Sequence, residues 1–392
     1  MNINALLTKD TIFLMKLLNA RVVGGAVRDV LLQVPIKDID FASPLTPEQI
    51  TDICKKNGIT TIPTGIKHGT ITIRYNNRNY EITTLRKDVS SDGRHAEIAF
   101  TDDWKEDSSR RDFTINAFYL DYDGNIYDYH NGKSDLQNKL VRFIGEPNTR
   151  ITEDFLRILR FFRFNAQIGS AVIDENALNA CAALSSGIKK LSSERIASEF
   201  LRLLEQPCPE KALELMQKTC VLKQFLKEAV SDRLSRYLQK EALYNIPISA
   251  LARLSSVLPS DLIVIQRIAK RLKFSQKQKE ILCTLAKIRQ EITKAVADIS
   301  ALYEILYDNP KELVLQGLLL SDEAPKDFVK IIKEWENIPF PLTGQDVIDL
   351  GIPQSARIGE LLKETRKWWL KHSRQPSYEE CQHYVRVRVF SS

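Results

Sequence analysis

Ala20-Arg-Val-Val-Gly-Gly-Ala-Val-Arg-Asp-Val-Leu-Leu32, with Val34-Pro-Ile-Lys-Asp-Ile-Asp-Phe-Ala-Ser43 close behind it, decides how the rest of the chain is read. A short apolar strand, Arg21 to Val23, stops at Gly24-Gly25; a helical run from Ala26 to Leu32 follows, and a second strand carries Asp38 and Asp40. Side chains at i and i+2 of a strand share a face, so the two aspartates should project together with Ile39 turned into the core. Neighbouring carboxylates repel unless a cation lies between them, which makes the pair an oxygen-ligand site suited to Mg²⁺. The paired glycines let a backbone approach a ligand closely, and the helix that starts there offers unpaired N–H groups to a phosphate. Arg28, in the first turns, adds a charge-assisted fork. Each feature alone has a plainer reading: a turn, a cap, a solvated Arg28–Asp29 pair. Their conjunction in this order points to a phosphate seat beside a metal seat.

At 392 residues the chain is long for one domain and suggests about two to four compact units. Hydrophobic residues at 43% and charged residues at 27% are those of a globular protein that buries a core. A formal net charge of +6 permits a nucleic-acid partner without requiring one. The six cysteines are scattered, with no C-x-x-C pair, as for free buried thiols in a reducing compartment. The first twenty residues carry no secretory pattern, and no apolar run is long enough for a membrane span. The expectation is a cytoplasmic protein with no membrane partner.

Outward from the opening stretch, Leu6 to Leu18 reads as an amphipathic helix, and Thr46-Pro47-Glu48 opens another that ends near Gly58. His68 to Ile73 and Tyr80 to Leu85 alternate polar and apolar around a turn at Asn76-Asn77, which is a hairpin. Glu81 on that hairpin either aims at the same side as Asp38 and Asp40, as a third metal-facing carboxylate, or faces solvent. The polar, Gly-containing run Arg86 to Glu97 reads as a mobile loop. Ser108 or Ser109 would cap a helix through Ala117, placing Asp112 and Asn116 one turn apart near Arg111. That trio suits a ribose-triphosphate, or is an ordinary helix start with surface charges.

From Thr152, taken as an N-cap, the period becomes helical: Glu153 to Phe164 continues to a stop at Gly169. Asp154, Arg157, Arg160 and Arg163 step by three into one polar ridge, with Phe155, Leu159 and Phe162 on the other side. Ser192 begins a further helix with Leu191 and Ile196 placed as a staple. The remainder is amphipathic helices broken at Pro207, Pro247, Pro259 and Pro310. Near the end, Lys363, Arg366, Lys367, Trp368, Trp369, Lys371 and Arg374 interleave base and indole. This suits an RNA backbone, or a helix with one core stripe and one wet face.

With these residues assembled, the chain resembles the class II tRNA nucleotidyltransferases, the CCA-adding enzymes, and their bacterial poly(A) polymerase relatives. Gly24 to Asp29 with Asp38-Ile39-Asp40 is similar to the family's first motif. Arg110-Arg111-Asp112 with Asn116-Ala117 resembles its ribose-handling motif, and Gly132 with Asp135-Leu136 and Arg142 its hinge motif. Glu153-Asp154 with Arg157 resembles the nucleotide-reading motif, Ser193-Glu194-Arg195-Ile196 the neck motif, and Pro341 to Asp346 a tail segment. The resemblance implies an α+β fold: a polymerase-β-type nucleotidyltransferase head with a mixed sheet and helices, residues 1–148, followed by an all-α remainder. That remainder would be a neck reading the nucleotide (149–205), a body (206–300) and a tail in contact with tRNA (301–392).

The resemblance also implies addition of C, C and A from CTP and ATP to a tRNA lacking its 3′ CCA end, without a nucleic-acid template and with Mg²⁺. Asp38 and Asp40 would hold the metal, with Glu81 as the further catalytic carboxylate; Gly24, Gly25 and Arg28 would seat the triphosphate; Arg111, Asp112 and Asn116 would handle the ribose. Cytosine and adenine both present an exocyclic amine beside a ring-nitrogen acceptor. Asp154 would accept from the amine and Arg157 donate to the ring nitrogen, with Arg160 and Arg163 behind them. Uracil and guanine present the opposite polarity, and sites that leave charges unpaired discriminate by roughly 10⁴. The alternatives are a poly(A) polymerase or a partial CC- or A-adding enzyme and, in another class, a non-catalytic RNA-binding scaffold.

Overall fold

The computed structural model describes residues 3–66, 69–91, 96–170, 172–295, 299–322 and 325–390, and divides into two compact units, Met1–Lys227 and Glu228–Ser392. The first unit is built on seven strands in the order β3-β4-β5-β2-β1-β8-β9. They are β1 (Arg21–Val23), β2 (Asp40–Ser43), β3 (Thr60–Gly65), β4 (Thr70–Tyr75), β5 (Arg78–Thr84), β8 (Phe118–Leu120) and β9 (Ile126–Asp128). β2 and β5 run parallel with Asp40 opposite Glu81; every other pair in the sheet is antiparallel. Val22, Phe41, Ile71, Ile73, Ile82 and Phe118 are buried, the inward half of each alternating strand.

The opening stretch folds as read at its first strand and its helix, but the second strand starts at Asp40 and Asp38 precedes it. Ile39 lies outside the pleat for the same reason: it is half-buried and lines a cavity, rather than entering the core. His68 is outside the described residues. Arg86 to Glu97 is not simply a loop: β6 (Arg86–Ser91) and β7 (Ala96–Phe100) pair as a separate antiparallel hairpin, with 92–95 outside the described residues.

Around the sheet lie α1 (Lys9–Leu17), α2 (Gly25–Leu31), α3 (Pro47–Lys56), α4 (Trp104–Ser109) and α5 (Gly132–Gln137). α3 opens with the capping box Thr46/Gln49. The helix expected from Ser108 or Ser109 is absent: α4, capped by Asp103, ends there, and only a short 3₁₀ turn, Thr114–Asn116, follows. Then come α6 (Pro147–Glu153), α7 (Leu156–Ile168), α8 (Glu175–Ala183), α9 (Ser193–Leu204) and α10 (Pro209–Lys218). Thr152 is inside α6 rather than an N-cap, because Pro147 starts the helix earlier and Asp154, at φ −153°, ends it. Asp154 Oδ1 accepts from the Leu156 N–H at 3.0 Å, so the aspartate is the joint between two helices. Gly169 ends α7 at φ +61°, and Ser192 caps α9, both as expected.

The second unit is helical: α11 (Asp232–Leu243), α12 (Ala250–Val257), α13 (Leu262–Arg271), α14 (Gln276–Ala295), α15 (Ile299–Asp308), α16 (Lys311–Leu320), α17 (Lys326–Glu334), α18 (Gly344–Asp349), α19 (Ala356–Lys371) and α20 (Tyr378–Phe390). Trp369 is buried in its core and Trp368 stacks on Tyr384 at 4.5 Å. Arg366 and Lys367 pair with Asp308 and Glu304. Within α19 the base-and-indole run thus combines a core stripe with a face on which Arg366 and Lys367 are ion-paired, while Arg374, past the end of the helix, lies over the Trp335 ring. Among the described residues no helix is long and apolar enough to cross a membrane.

Candidate functional site

Two cavities meet at one aspartate in the first unit. The larger, about 870 Å³, is lined by Asp38, Asp40 and Glu81 together with Lys37, Thr64, Thr72, Arg78 and Tyr80. The parallel register of β2 and β5 places Glu81 beside Asp40, and Asp38 enters from the preceding segment. Withdrawal from water in the cleft, then the charges of Glu81 and Asp38, push the Asp40 carboxyl above its usual range, with Arg111 pulling the other way. This acidic crowding is what a divalent cation relieves. Among the described residues no three His, Cys, Asp or Glu side chains close into a cage by themselves. The donor set fits Mg²⁺, which keeps several waters and draws further ligands from substrate phosphates.

The second cavity, about 640 Å³, is also lined by Asp40, and carries eight arginines against three aspartates. Gly24, Gly25, Arg28, Arg111, Asp112, Asn116, Asp154, Arg157, Arg160 and Arg163 all line it, so the structure gathers every nucleotide-site residue read from the sequence. Gly24 sits at φ +68°, and a Cβ there would meet Arg111 Nη1 at 3.3 Å and the Asn116 carbonyl at 3.4 Å. Only glycine lets that guanidinium lie against the turn. Arg28 is 6% exposed; it donates to Asp29 at 2.7 Å and to Asn116 Oδ1 at 2.5 Å, so its fork is held by the protein. Arg111 donates to Asp107 and to the Tyr119 hydroxyl, both at 3.2 Å.

Asp112 and Asn116 meet without the helix expected to carry them: Asn116 Nδ2 donates to Asp112 Oδ1 at 3.3 Å, and Arg160 pairs with Asp112 Oδ2 at 2.5 Å. Burial raises the Asp112 pKa, but Arg160, the Asn116 amide and Arg157 outweigh it and hold the carboxyl below its ordinary value. Arg28, Arg160 and Arg163 all lie over the Phe164 ring, at 5.1, 5.2 and 4.0 Å. A single phenyl thus spaces three like charges.

Asp154 and Arg157 are differently tied than their spacing suggests. Asp154 Oδ2 accepts from Arg195 at 2.7 Å, and Arg157 pairs with Glu153 and donates to the Arg150 carbonyl at 2.7 Å. The two share a cavity wall while each holds its own partner.

Three residues of α9 belong here that sequence reasoning left outside the site. Arg195 holds Asp154, Glu199 holds Arg163, and Arg202 lines both cavities. They recur at i, i+4 and i+7, one helical face, and that stripe was the available signal. No residue spacing pointed to Asp107, Tyr119 or Phe164.

Residues 20–142 match the family model described as "Poly A polymerase head domain", and 172–232 match "Probable RNA and SrmB- binding site of polymerase A". CCA tRNA nucleotidyltransferase 1, mitochondrial, of Homo sapiens is 36% identical over 385 residues, which are 93% of this chain and 86% of that protein. A CCA-adding enzyme of Streptococcus sanguinis is 34% identical over 364 residues, 87% of this chain and 86% of its own. A solved structure of the Bacillus stearothermophilus CCA-adding enzyme in complex with CTP superposes with a TM-score of 0.76 at 23% identity, covering 97% of both chains, a likeness of fold.

Proposed function

The chain belongs to the family of CCA-adding tRNA nucleotidyltransferases, and from that premise we propose how its residues divide the work. The protein is a nucleotidyltransferase that adds C, C and A to the 3′ end of a tRNA from CTP and ATP. The observation that supports this reading best is the junction at Asp40 of an acidic cavity and an arginine-rich one. A triphosphate needs the second, and a hydroxyl nucleophile needs the first.

The primer 3′-hydroxyl loses its proton and attacks the NTP α-phosphorus; the bond from that phosphorus to the bridging oxygen breaks, and pyrophosphate leaves. Enzymes of this family use divalent metal, and Mg²⁺ held by Asp38 and Asp40, with Glu81 beside them, would supply charge neutralisation at the reacting phosphate and a lowered hydroxyl pKa. Arg28, Arg160 and Arg163, spaced by Phe164, meet the triphosphate as a rigid cationic wall. Arg111, Asp112 and Asn116 orient the ribose. Asp154 accepts from the exocyclic amine of cytosine or adenine, and Arg157 donates to the ring nitrogen beside it. The division into head (1–148), neck (149–205), body (206–300) and tRNA-contacting tail (301–392) is part of the same reading. So is a cytoplasmic location, which the six free cysteines suit.

The test incubates the protein with Mg²⁺, labelled CTP and ATP, and tRNA lacking its end. Products should end in C-C-A; long A tails would make it a poly(A) polymerase, and no product a binding scaffold. Asp154→Ala should lower the preference for CTP over UTP by at least about tenfold. Arg195→Ala frees the same carboxylate without deleting it and should leave the preference largely intact. An unchanged preference in Asp154→Ala removes that residue from the reader.

A further inference from the structure

Arg150, on α6, is 9% exposed and stands behind the arginine cavity rather than on its wall. Its Nη2 donates to the carbonyl of Arg110 at 2.5 Å and to that of Arg111 at 2.8 Å. Both carbonyls lie where α4 has ended, at the negative pole of the helix, where backbone acceptors find no partner within the helix itself. The guanidinium thereby grips the two peptide units that flank Arg111. It fixes where Arg111 and Asp112, the residues assigned to the ribose, leave the backbone.

The same arginine also holds the residue assigned to the base. Its Nη1 donates to Glu153 Oε1 at 2.9 Å, Glu153 pairs in turn with Arg157, and Arg157 Nη1 returns to the Arg150 carbonyl at 2.7 Å. This ring closes across the Asp154 joint, since Arg150 and Glu153 belong to α6 and Arg157 to α7. Both hydrogens of Arg157 Nη1 are used in it. Arg157 Nη2 makes a long contact, 3.5 Å, with the Arg110 carbonyl, the oxygen that Arg150 already holds. Two guanidinium groups thus share one acceptor, one of them serving the sugar side of the cavity and the other the base side. A lysine at position 150 would bring a single ammonium and no planar fork with which to hold carbonyls and carboxylate together.

We propose that Arg150 is a positioning residue that couples the choice of base to the choice of sugar. A base with the wrong hydrogen-bonding polarity fails to engage Arg157 Nη2, which then closes on the Arg110 carbonyl in competition with Arg150. The backbone that presents Arg111 and Asp112 loosens, and the sugar is read less strictly. The inference rests on the residue roles proposed above for the base and the ribose.

The test compares four substrates. With full-length protein, Mg²⁺ and tRNA lacking its end, kcat/KM is measured for CTP, UTP, dCTP and dUTP. Were base and sugar read independently, the ratio of CTP to dCTP would equal that of UTP to dUTP. In wild type the first should exceed the second by about fivefold, a coupling of the size found between groups in one hydrogen-bonded network. In Arg150→Lys the two ratios should become equal. A merely structural role for Arg150 would lower all four rates by one factor and leave the inequality in place. Equal ratios in wild type, or an inequality that survives in Arg150→Lys, overturn the proposal. The wild-type comparison decides by itself if the variant does not fold. Failure of the base assignment shows separately, as an unchanged preference for CTP over UTP in Asp154→Ala.

Discussion

Asp107 is 1% exposed and holds the wall of the arginine cavity from behind. Its carboxylate accepts from Arg110 at 2.8 Å, Arg111 at 3.2 Å and the Tyr119 hydroxyl at 2.7 Å. Burial raises its pKa, but Arg111, Arg110 and the Tyr119 bond outweigh burial, so the folded value lies below the ordinary 3.8. An acid whose pKa is depressed by folding stabilises the fold above its unfolded pKa and loses that contribution as pH falls through the folded one. Asp107→Asn should therefore cost on the order of 2–3 kcal/mol at pH 6, a gap that narrows below about pH 3.8 as the wild-type carboxylate protonates. Urea melts from pH 6 to 3 check this, and a gap constant with pH would remove the ion pair as its source. At this scale the sequence disclosed the residues that line the two cavities better than those behind them. Asp38, Asp40 and Arg28 lie in one short motif, whereas Asp107 acquires its partners only by folding.

Asp154, extended at φ −153°, separates α6 from α7 in what reads as one helical period. Phe155, the next residue, lies against Gly187, where a Cβ would fall 2.1 Å from its ring, and Lys190 Nζ sits 5.2 Å from the ring centroid. Gly187 is thus required for a close approach. Gly187→Ala should destabilise by about 1–3 kcal/mol and, by shifting the Asp154 joint, raise KM for CTP several-fold. Phe155→Leu in that background should recover part of both, in thermal melts and steady-state kinetics; loss of stability with KM unmoved would separate Phe155 from the reader. Local spacing disclosed the capped starts of α3 and α9 and the stop of α7. It did not disclose this joint, where Asp154 is extended at φ −153° and the next residue meets Gly187, a contact between segments distant in sequence. The β6–β7 hairpin was missed because β6 is largely polar and a glycine lies between the strands, which reads as loop.

Each of the two units has its own core, and the residues read as nucleotide-binding all fall in Met1–Lys227. CTP alone should slow hydrogen exchange in segments 24–31, 110–116 and 154–163 and on α9. Segment 228–392 should stay unprotected, and CTP-dependent protection there instead would relocate the nucleotide site. At saturating ligand, about 100 times Kd, the linkage is worth about 2.7 kcal/mol, enough to read by exchange. The α+β head and helical remainder were legible because motif order and the change from period two to period 3.6 are both written locally. The pairing of β2 with β5 was not, since partners in a parallel pair lie far apart in the chain.

That pairing also governs which sequence changes the enzyme can tolerate. Because side chains alternate faces, deleting one residue early in β5 would bring a core-facing neighbour opposite Asp40 in place of Glu81. Adding one to the turn at Asn76-Asn77 would leave the ladder between β2 and β5 in step. Natural variation in length should accordingly collect in that turn and stay out of the two acidic strands.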